Sequence, residues 1–248
     1  MKSIKLFLCI FLLFLAFLIL ILTTFCFFNY NKQSSTTQQD NIDQDFPKEH
    51  NNSIIVIDAG HGGEDGGAIG ANGAYEKDIN LTLANKLKSK LDEKNIPCVL
   101  TRSTDILLYD KNADYEGKKK RLDLLARKEF AESYENAIFI SIHQNSYPKA
   151  QYRGFQIYYS PNNAVSNELA ILIEKTVKDS ILQSNTRASK KADSSIYLLD
   201  KLYCPAVLIE CGFLSNPEEC ALLCDENYQN ELCDSITDGV VKFISRKS

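Results

Sequence analysis

The chain is short of several residue types that would direct it toward common functions. It has three histidines, one methionine and no tryptophan among 248 residues, and its 28 lysines and arginines are outnumbered by 32 aspartates and glutamates. A surface that binds a phosphate backbone needs an excess of basic side chains, so the net charge of −4 argues against nucleic acid as a partner. The sequence also lacks an internal repeat and a Walker-type phosphate loop. The composition instead favours one sizeable globular domain, with or without a further segment.

A continuous apolar run stands near the N-terminus. It covers residues 6–28, LFLCIFLLFLAFLILILTTFCFF, and at about 1.5 Å per residue such a helix crosses a ~30 Å hydrocarbon layer. Lys2 and Lys5 precede the run and only Lys32 follows it closely, so the positive-inside rule places the rest of the chain outside the cytoplasm. The alternative is a cleaved signal peptide, but the run is long and no small-residue cleavage site follows it. We therefore predict a membrane anchor over residues 1–28.

The segment that follows the apolar run is polar. Residues 29–52 are rich in Gln, Asn, Ser and Thr and cannot form a core. We predict a flexible tether there and a single extracytoplasmic domain over residues 53–248.

Apolar strand patterns alternate with helical patterns from residue 53 onward. The helical segments carry apolar residues at three- and four-residue spacing, as at Ile79, Leu83 and Leu87. Strands are predicted at SIIVID, IPCVLTR, NAIFISI, GFQIYYS, SIYLL and PAVLIE. This alternation predicts an α/β domain whose sheet has helices on both faces.

Chemically active side chains come directly after three of the predicted strands. His61 follows the first strand in DAGHGG, His143 follows the third in SIHQNS, and Glu210 ends a late strand in LIECGF. Sites in such sheets form where loops leave the carboxyl ends of the strands, so these side chains converge if their strands are adjacent. Glu76 is a fourth candidate, because it opens the helix that follows the glycine-rich loop.

Two histidines and one carboxylate are a donor set typical of catalytic zinc, which keeps one further position for water. A second carboxylate that does not bind the metal can move protons as general base and acid, and Glu210 suits that role. Each residue also has a simpler explanation: an exposed loop histidine, a carboxylate at a helix N-terminus, or an ion pair at a strand end. Asp58 either orients the His61 imidazole or caps the turn. Spacing alone leaves these alternatives open.

Four motifs in order resemble those of a known family. They are GHGGEDGGAIG with EKDINLTLANKL, LTRSTD, FISIHQNS and AVLIECGFLSNPEE, and they resemble the zinc-dependent N-acetylmuramoyl-L-alanine amidases, which are bacterial cell-wall hydrolases. The resemblance covers residues 53–244. It implies a mixed, mainly parallel sheet of about six strands and hydrolysis of the amide between the lactyl group of N-acetylmuramic acid and L-alanine of the stem peptide. It also implies one Zn²⁺ held by His61, Glu76 and His143, with Glu210 as the catalytic residue.

Neighbouring residues are expected to support this site or to form its rim. Asp58, Asn145, Gly62 and Gly63 are the candidates. Gln144 and Ser146 stand where the family often has smaller residues, and we expect them to shape the rim.

The layout of anchor, tether and bare domain is similar to that of the germination-specific amidases of endospore formers. This resemblance implies action on peptidoglycan of the spore cortex, on the cortex side of the forespore, coupled to a muramic acid deacetylase that forms muramic δ-lactam. Because no wall-binding repeat is apparent, an activator protein that orders the zinc site is a further expected partner. Three alternatives stay open: a vegetative wall-remodelling amidase, a zinc peptidase that cuts within the stem peptide, and a wall-binding module without activity.

The cysteines do not follow the spacing of a disulfide framework, so we expect buried free thiols. Cys211 is not expected to act as a nucleophile, because both candidate histidine bases are already used. The domain cysteines are Cys98, Cys204, Cys211, Cys220, Cys224 and Cys233.

Overall fold

A six-stranded sheet forms the centre of the part that the computed structural model describes, residues 53–110, 112 and 117–246. The strand order is β2-β1-β3-β6-β4-β5. All neighbouring pairs are parallel except β4 and β6, which are antiparallel. The strands are β1 (Ile54–Ala59), β2 (Cys98–Leu100), β3 (Ala137–Asn145), β4 (Gln156–Tyr159), β5 (Lys190–Lys191) and β6 (Ala206–Phe213). The predicted mixed, mainly parallel α/β fold is therefore confirmed.

Helices cover both faces of the sheet. They are α1 (Glu76–Glu93), α2 (Lys119–Glu132), α3 (Ser166–Ser180), α4 (Tyr197–Lys201), α5 (Pro217–Leu223) and α6 (Glu226–Ile244). Side chains of β1 alternate between the faces: Ile55 and Ile57 pack with α1, α3 and α6, whereas Val56 packs with α2 and α4 on the other face. Asp58 follows Val56 by two residues and points to that second face as well.

The three central strands bring their carboxyl ends to one edge. β1 and β6 flank β3 and run parallel to it, with Ala59 opposite Ile142 and His143 opposite Glu210. His143 and Glu210 lie within β3 and β6 rather than beyond them, because both strands continue for two or three further residues. A register shift between His143 and Asn145 marks this end of the β3–β6 pair.

One strand prediction is wrong. The segment SIYLL contributes helix α4, in which Leu198 and Leu199 are buried against the second face of the sheet. Asp193 accepts hydrogen bonds from the backbone and hydroxyl of Ser195, and this local turn starts the helix instead of a strand. The strand that the sequence did not predict is β5 at the edge of the sheet. It consists of two exposed lysines and has no apolar pattern.

The predicted anchor over residues 1–28 and tether over 29–52 lie outside the described residues. Within the residues that are described, no helix is both long and apolar enough to cross a bilayer.

Candidate metal centre

His61, Glu76 and His143 converge at the carboxyl edge of the central strands. One side-chain donor atom from each residue lies within 4.8 Å of the other two. The carboxylate is at the centre: its Oε1 lies 3.0 Å from His143 Nδ1 and 3.3 Å from His61 Nε2. The two imidazole rings meet edge to face, with their centroids 5.0 Å apart.

The loop after β1 holds His61 in an uncommon conformation. Its φ is 61°, in the left-handed region that non-glycine residues seldom adopt. Arg127 donates from Nη2 to the His61 carbonyl at 2.7 Å, and Arg102 donates to the carbonyls of Ala59 and Gly60. Gly60 is required by space, because a Cβ there would lie 2.2 Å from Nε2 of His143. The backbone is thus fastened in a conformation that points His61 at the site.

Arg102 also joins this loop to the helix that carries Glu76. The same guanidinium that holds Gly60 donates to the carbonyl of Lys77 at 2.8 Å. Asp105 adds a second link, since it accepts from the Gly63 N–H at 2.7 Å and from Lys77 Nζ at 2.6 Å. Sequence reasoning left the motif LTRSTD without a role. In the structure its residues Arg102 and Asp105 link the loop after β1 to the start of α1 by hydrogen bonds.

Glu76 is a buried carboxylate surrounded by donors. Oε1 accepts from the Gln144 N–H at 3.1 Å, and Oε2 accepts from the Ala68 N–H at 2.8 Å. Burial alone would raise the pKa of Glu76, but the hydrogen bonds and charges of His143 and His61 outweigh it and hold that pKa well below its usual range. Glu76 is therefore ionised and suited to bind a cation.

Asp65 is a residue of this site that sequence reasoning missed. Its Oδ2 lies 2.9 Å from His61 Nδ1, an ion-pair distance without the alignment of a hydrogen bond. Burial lowers the pKa of His61, but the carboxylates of Asp65 and Glu76 outweigh it and raise the pKa to about 9. A mutual backbone bridge between Gly62 and Asp65 turns the loop back onto itself and places this carboxylate. The only signal in the sequence was an acid four residues after the histidine.

Glu210 lies beside His143 in the sheet and has a different environment from Glu76. Its Oε2 is buried and has no hydrogen-bond partner among the described residues. Burial raises the pKa of Glu210 to about 7; His143 lowers it and Glu76 raises it further. A carboxyl group with this pKa and an unpartnered oxygen is able both to accept and to donate a proton near neutral pH.

Asp58 has a different role from the one considered for it. Its carboxylate accepts from Thr101, Ser141 and Arg127 beneath the sheet, at 2.6 to 2.8 Å, and it is Asp65 rather than Asp58 that contacts the His61 imidazole. Alternation along β1 is the reason, since Asp58 points to the face opposite Ile57 and Ala59. Asp58 is linked to the loop through Arg127, which also donates to the carbonyls of Ala59 and His61.

The residues expected to support the site or to form its rim take different positions. Gly62 is buried, with its Cα facing the carbonyl of Ile106, and Gly63 is bonded to Asp105, so both belong to the fastening of the loop. Gln144 is also buried and turned inward, whereas Ser146 is exposed. Asn145 is half-buried and its carbonyl accepts from the Leu214 N–H. Its place on a substrate rim stays a prediction.

The thiols take no part in this site. The six domain cysteines are unpaired; four are buried, Cys204 is half-buried and Cys224 is exposed. Burial raises the pKa of the Cys211 thiol far above its usual value, so Cys211 stays protonated beside Glu210.

The residues present fit a catalytic zinc ion. Two imidazoles and one carboxylate are its usual protein ligands, and their donor atoms are already close together. The unpartnered oxygen of Glu210 supplies a nearby group for proton transfer.

Comparison with known proteins is consistent with this geometry. The sequence profile of the N-acetylmuramoyl-L-alanine amidase family matches residues 55–242. A germination-specific N-acetylmuramoyl-L-alanine amidase of Bacillus subtilis (strain 168) is 34% identical over 194 residues, which cover 78% of this chain and 81% of the relative.

Solved structures are also similar to this chain, and two of them illustrate the likeness. The CwlD amidase from Clostridioides difficile, in complex with the GerS lipoprotein, is 38% identical with a TM-score of 0.73, covering 78% of this chain and 99% of that one. The catalytic domain of the CwlV amidase from Bacillus (Paenibacillus) polymyxa is 32% identical with a TM-score of 0.66, covering 79% and 99%.

Proposed function

This chain belongs to the N-acetylmuramoyl-L-alanine amidase family, and from that premise we propose that it is a zinc-dependent enzyme that releases stem peptides from peptidoglycan. The bond cleaved is the amide between the lactyl group of N-acetylmuramic acid and L-alanine. The observation that carries the proposal is the cluster of His61, Glu76 and His143 beside Glu210, four residues that fall in three of the four family motifs.

His61, Glu76 and His143 would hold the zinc ion. When bound, Zn²⁺ supplies a Lewis acid that polarises the scissile carbonyl and makes water a better nucleophile near neutral pH. Glu76 brings the negative charge that the cation needs, and Asp65 keeps His61 oriented through Nδ1. Arg127 and Arg102 hold the backbone of the His61 loop, so this ligand is in place before substrate binds.

Glu210 moves the protons of the reaction. Its buried Oε2 accepts a proton from the attacking water and later passes it to the departing nitrogen of L-alanine. The raised pKa of this carboxyl group near 7 suits both transfers. A residue with this role is needed for turnover but not for metal binding.

The biological setting we propose is the spore cortex. The supporting observation is the similarity to a germination-specific amidase of Bacillus subtilis over most of both chains. In this setting, release of the peptide leaves an N-acetylmuramic acid residue with a free lactyl carboxyl group. A deacetylase then removes the acetyl group, and the freed amine and the lactyl carboxyl group form the δ-lactam with loss of water. A wall-remodelling role during growth is the second candidate, and the similarity to the catalytic domain of the CwlV amidase is compatible with either setting.

We further propose that an activator protein orders the zinc site and that residues 6–28 anchor the chain in the membrane. Support for the first is the similarity to an amidase solved in complex with a lipoprotein, and support for the second is the apolar run itself. Zinc content of the purified chain tests the activator directly: partial occupancy that rises with a partner supports it, and full occupancy in its absence argues against it.

Three variants test the assignment of roles. Glu210→Gln should keep zinc, measured by elemental mass spectrometry, and lose about 10²–10⁴-fold in turnover because the proton carrier is gone. His143→Ala should lose both zinc and turnover. Glu218→Gln is the matched control, since this exposed glutamate only pairs with Arg153 on the surface. Equal zinc loss in Glu210→Gln and His143→Ala would make Glu210 a ligand instead.

A further inference from the structure

One buried side chain outside the proposed ligand set contacts all three segments that carry the ligands. Asn80 lies on α1, one turn after Glu76, and is fully buried. Its Nδ2 donates to the carbonyl of Gly60 at 3.1 Å, next to His61, and to Glu76 Oε1 at 3.4 Å. Its Oδ1 accepts from the side chain of Gln144 at 3.1 Å, next to His143. No other buried amide in the described part has partners at these three places.

Gln144 completes this arrangement from β3. Its side chain is turned into the core, 4% exposed, and donates to Asn80, while its backbone N–H donates to Glu76 Oε1 at 3.1 Å. The backbone N–H of Gln144 therefore acts on Glu76 directly, and its side-chain amide acts on Glu76 through Asn80. The inward turn also explains why Gln144 does not contribute to the rim.

We propose that Asn80, supported by Gln144, is a positioning residue that sets the spacing of His61, Glu76 and His143 before a metal ion binds. The proposal rests on the proposed function, because it assumes that these three residues are zinc ligands. The physical reason is that a buried amide has few alternative partners, so each of its hydrogen bonds holds the attached segment in one place. A ligand set that is already assembled loses less conformational freedom when the cation arrives, and residues that orient ligands raise metal affinity by this route.

Each hydrogen bond of Asn80 holds a different segment of the site. The bond to Gly60 fixes the loop that carries His61, and the bond to Gln144 fixes β3 at His143. The bond to Glu76 Oε1 limits rotation of the carboxylate, which Ala68 holds at Oε2 from the other side. Loss of Asn80 would release all three segments together, whereas loss of the Gln144 amide would release only one contact.

The test measures zinc affinity of the full chain by competition with a chromophoric chelator. Asn80→Asp keeps the shape of the side chain but removes both donations and turns an oxygen toward Gly60 O and Glu76. We expect its zinc dissociation constant to rise about 10–100-fold, the range found for residues that orient metal ligands. Gln144→Met should give a smaller rise, because the backbone N–H of residue 144 still donates to Glu76. Gln229→Met is the matched control, since Gln229 is a buried glutamine of α6 that donates to Leu223 O.

Two further measurements separate positioning from packing. The visible absorption of the cobalt-substituted protein reports ligand geometry and should change in both Asn80→Asp and Gln144→Met but not in Gln229→Met. Urea unfolding of the metal-free proteins reports the structural contribution. Lower metal-free stability with unchanged zinc affinity and unchanged cobalt spectrum would overturn the proposal.

Two remaining outcomes also bear on the proposal. If Asn80→Asp does not fold, Gln144→Met carries the test, and wild-type affinity with a wild-type cobalt spectrum in that variant would contradict the proposal. If the wild-type chain itself binds no zinc while folded, the proposed function fails, which is a different result from wild-type binding that the variants match.

Discussion

Removing the guanidinium of Arg127 tests whether the His61 loop is fastened from beneath the sheet. Arg127 is 1% exposed and donates to four acceptors: Asp123, Asp58, and the carbonyls of Ala59 and His61. Arg127→Met keeps most of the buried alkyl chain and removes every one of these donors. The Asp58 carboxylate would then be buried with only the hydroxyls of neighbouring residues as partners.

The expected loss of stability is large because both partners of the Arg127–Asp58 ion pair are buried. Removing one partner of a buried ion pair costs about 3–5 kcal/mol, since the remaining charge is left without compensation. We therefore expect the free energy of unfolding to fall by about 4 kcal/mol. At about 2–4 °C per kcal/mol for a domain of roughly 150–250 residues, the melting temperature should fall by about 8–16 °C.

Urea unfolding followed by circular dichroism measures this change. Lys175→Met is the control, because Lys175 and its ion-pair partner Asp179 are both exposed. Loss of that ion pair should change the free energy of unfolding by an amount close to undetectable. Adding Asp58→Asn to Arg127→Met should restore part of the stability, since one of the two uncompensated charges disappears while that of Asp123 remains. A loss below about 1 kcal/mol in Arg127→Met would refute the reasoning.

Three other predictions follow from the site and its surroundings. Burial raises the pKa of Asp58, but the Arg127 guanidinium and two hydroxyls outweigh it and hold that pKa below its usual range. The contribution of the Asp58 carboxylate to stability is therefore present above the unfolded pKa of about 3.9 and is lost as pH falls through the lower folded value. The acid unfolding of Asp58→Asn should show a shallower dependence on pH. Asp65→Asn should weaken zinc binding about 10-fold, measured by chelator competition, because His61 loses its orienting carboxylate. Alkylation of the folded protein with iodoacetamide, mapped by mass spectrometry over the described residues, should modify the exposed Cys224 before the buried Cys211. Rapid modification of Cys211 would contradict its burial.

The convergence of the proposed ligands could be predicted because the sheet follows a simple rule. Three polar residues directly follow or end apolar runs, and parallel strands bring such positions to one edge. β1, β3 and β6 are neighbours, so the edge at His61, His143 and Glu210 is the expected one. Glu76 arrives there because the glycine-rich loop folds back over the end of β1 before α1 begins.

The supporting residues could not be predicted because they depend on long-range packing. Asp65 takes the role that spacing suggests for Asp58: alternation turns Asp58 under the sheet, and a loop closure turns Asp65 toward His61. The partners of Arg127 and Asn80 are up to 69 residues away in the chain. No local pattern reports such contacts.

Local turn chemistry explains the errors in secondary structure. The segment at Leu198 has the apolar content of a strand, but the preceding Asp193 turn and burial on one helical face favour α4. The two lysines of β5 pair with β4 through the backbone alone, so their side chains carry no strand signal.

The central claim is that this chain cleaves the bond between muramic acid and L-alanine with zinc bound. The most direct measurement is mass spectrometry of the products formed when the zinc-loaded chain acts on purified peptidoglycan, with Glu210→Gln as the control. The account predicts free stem peptides that begin with L-alanine, together with glycan chains that have lost them. Fragments cut within the stem peptide, with the lactyl amide intact, would contradict it.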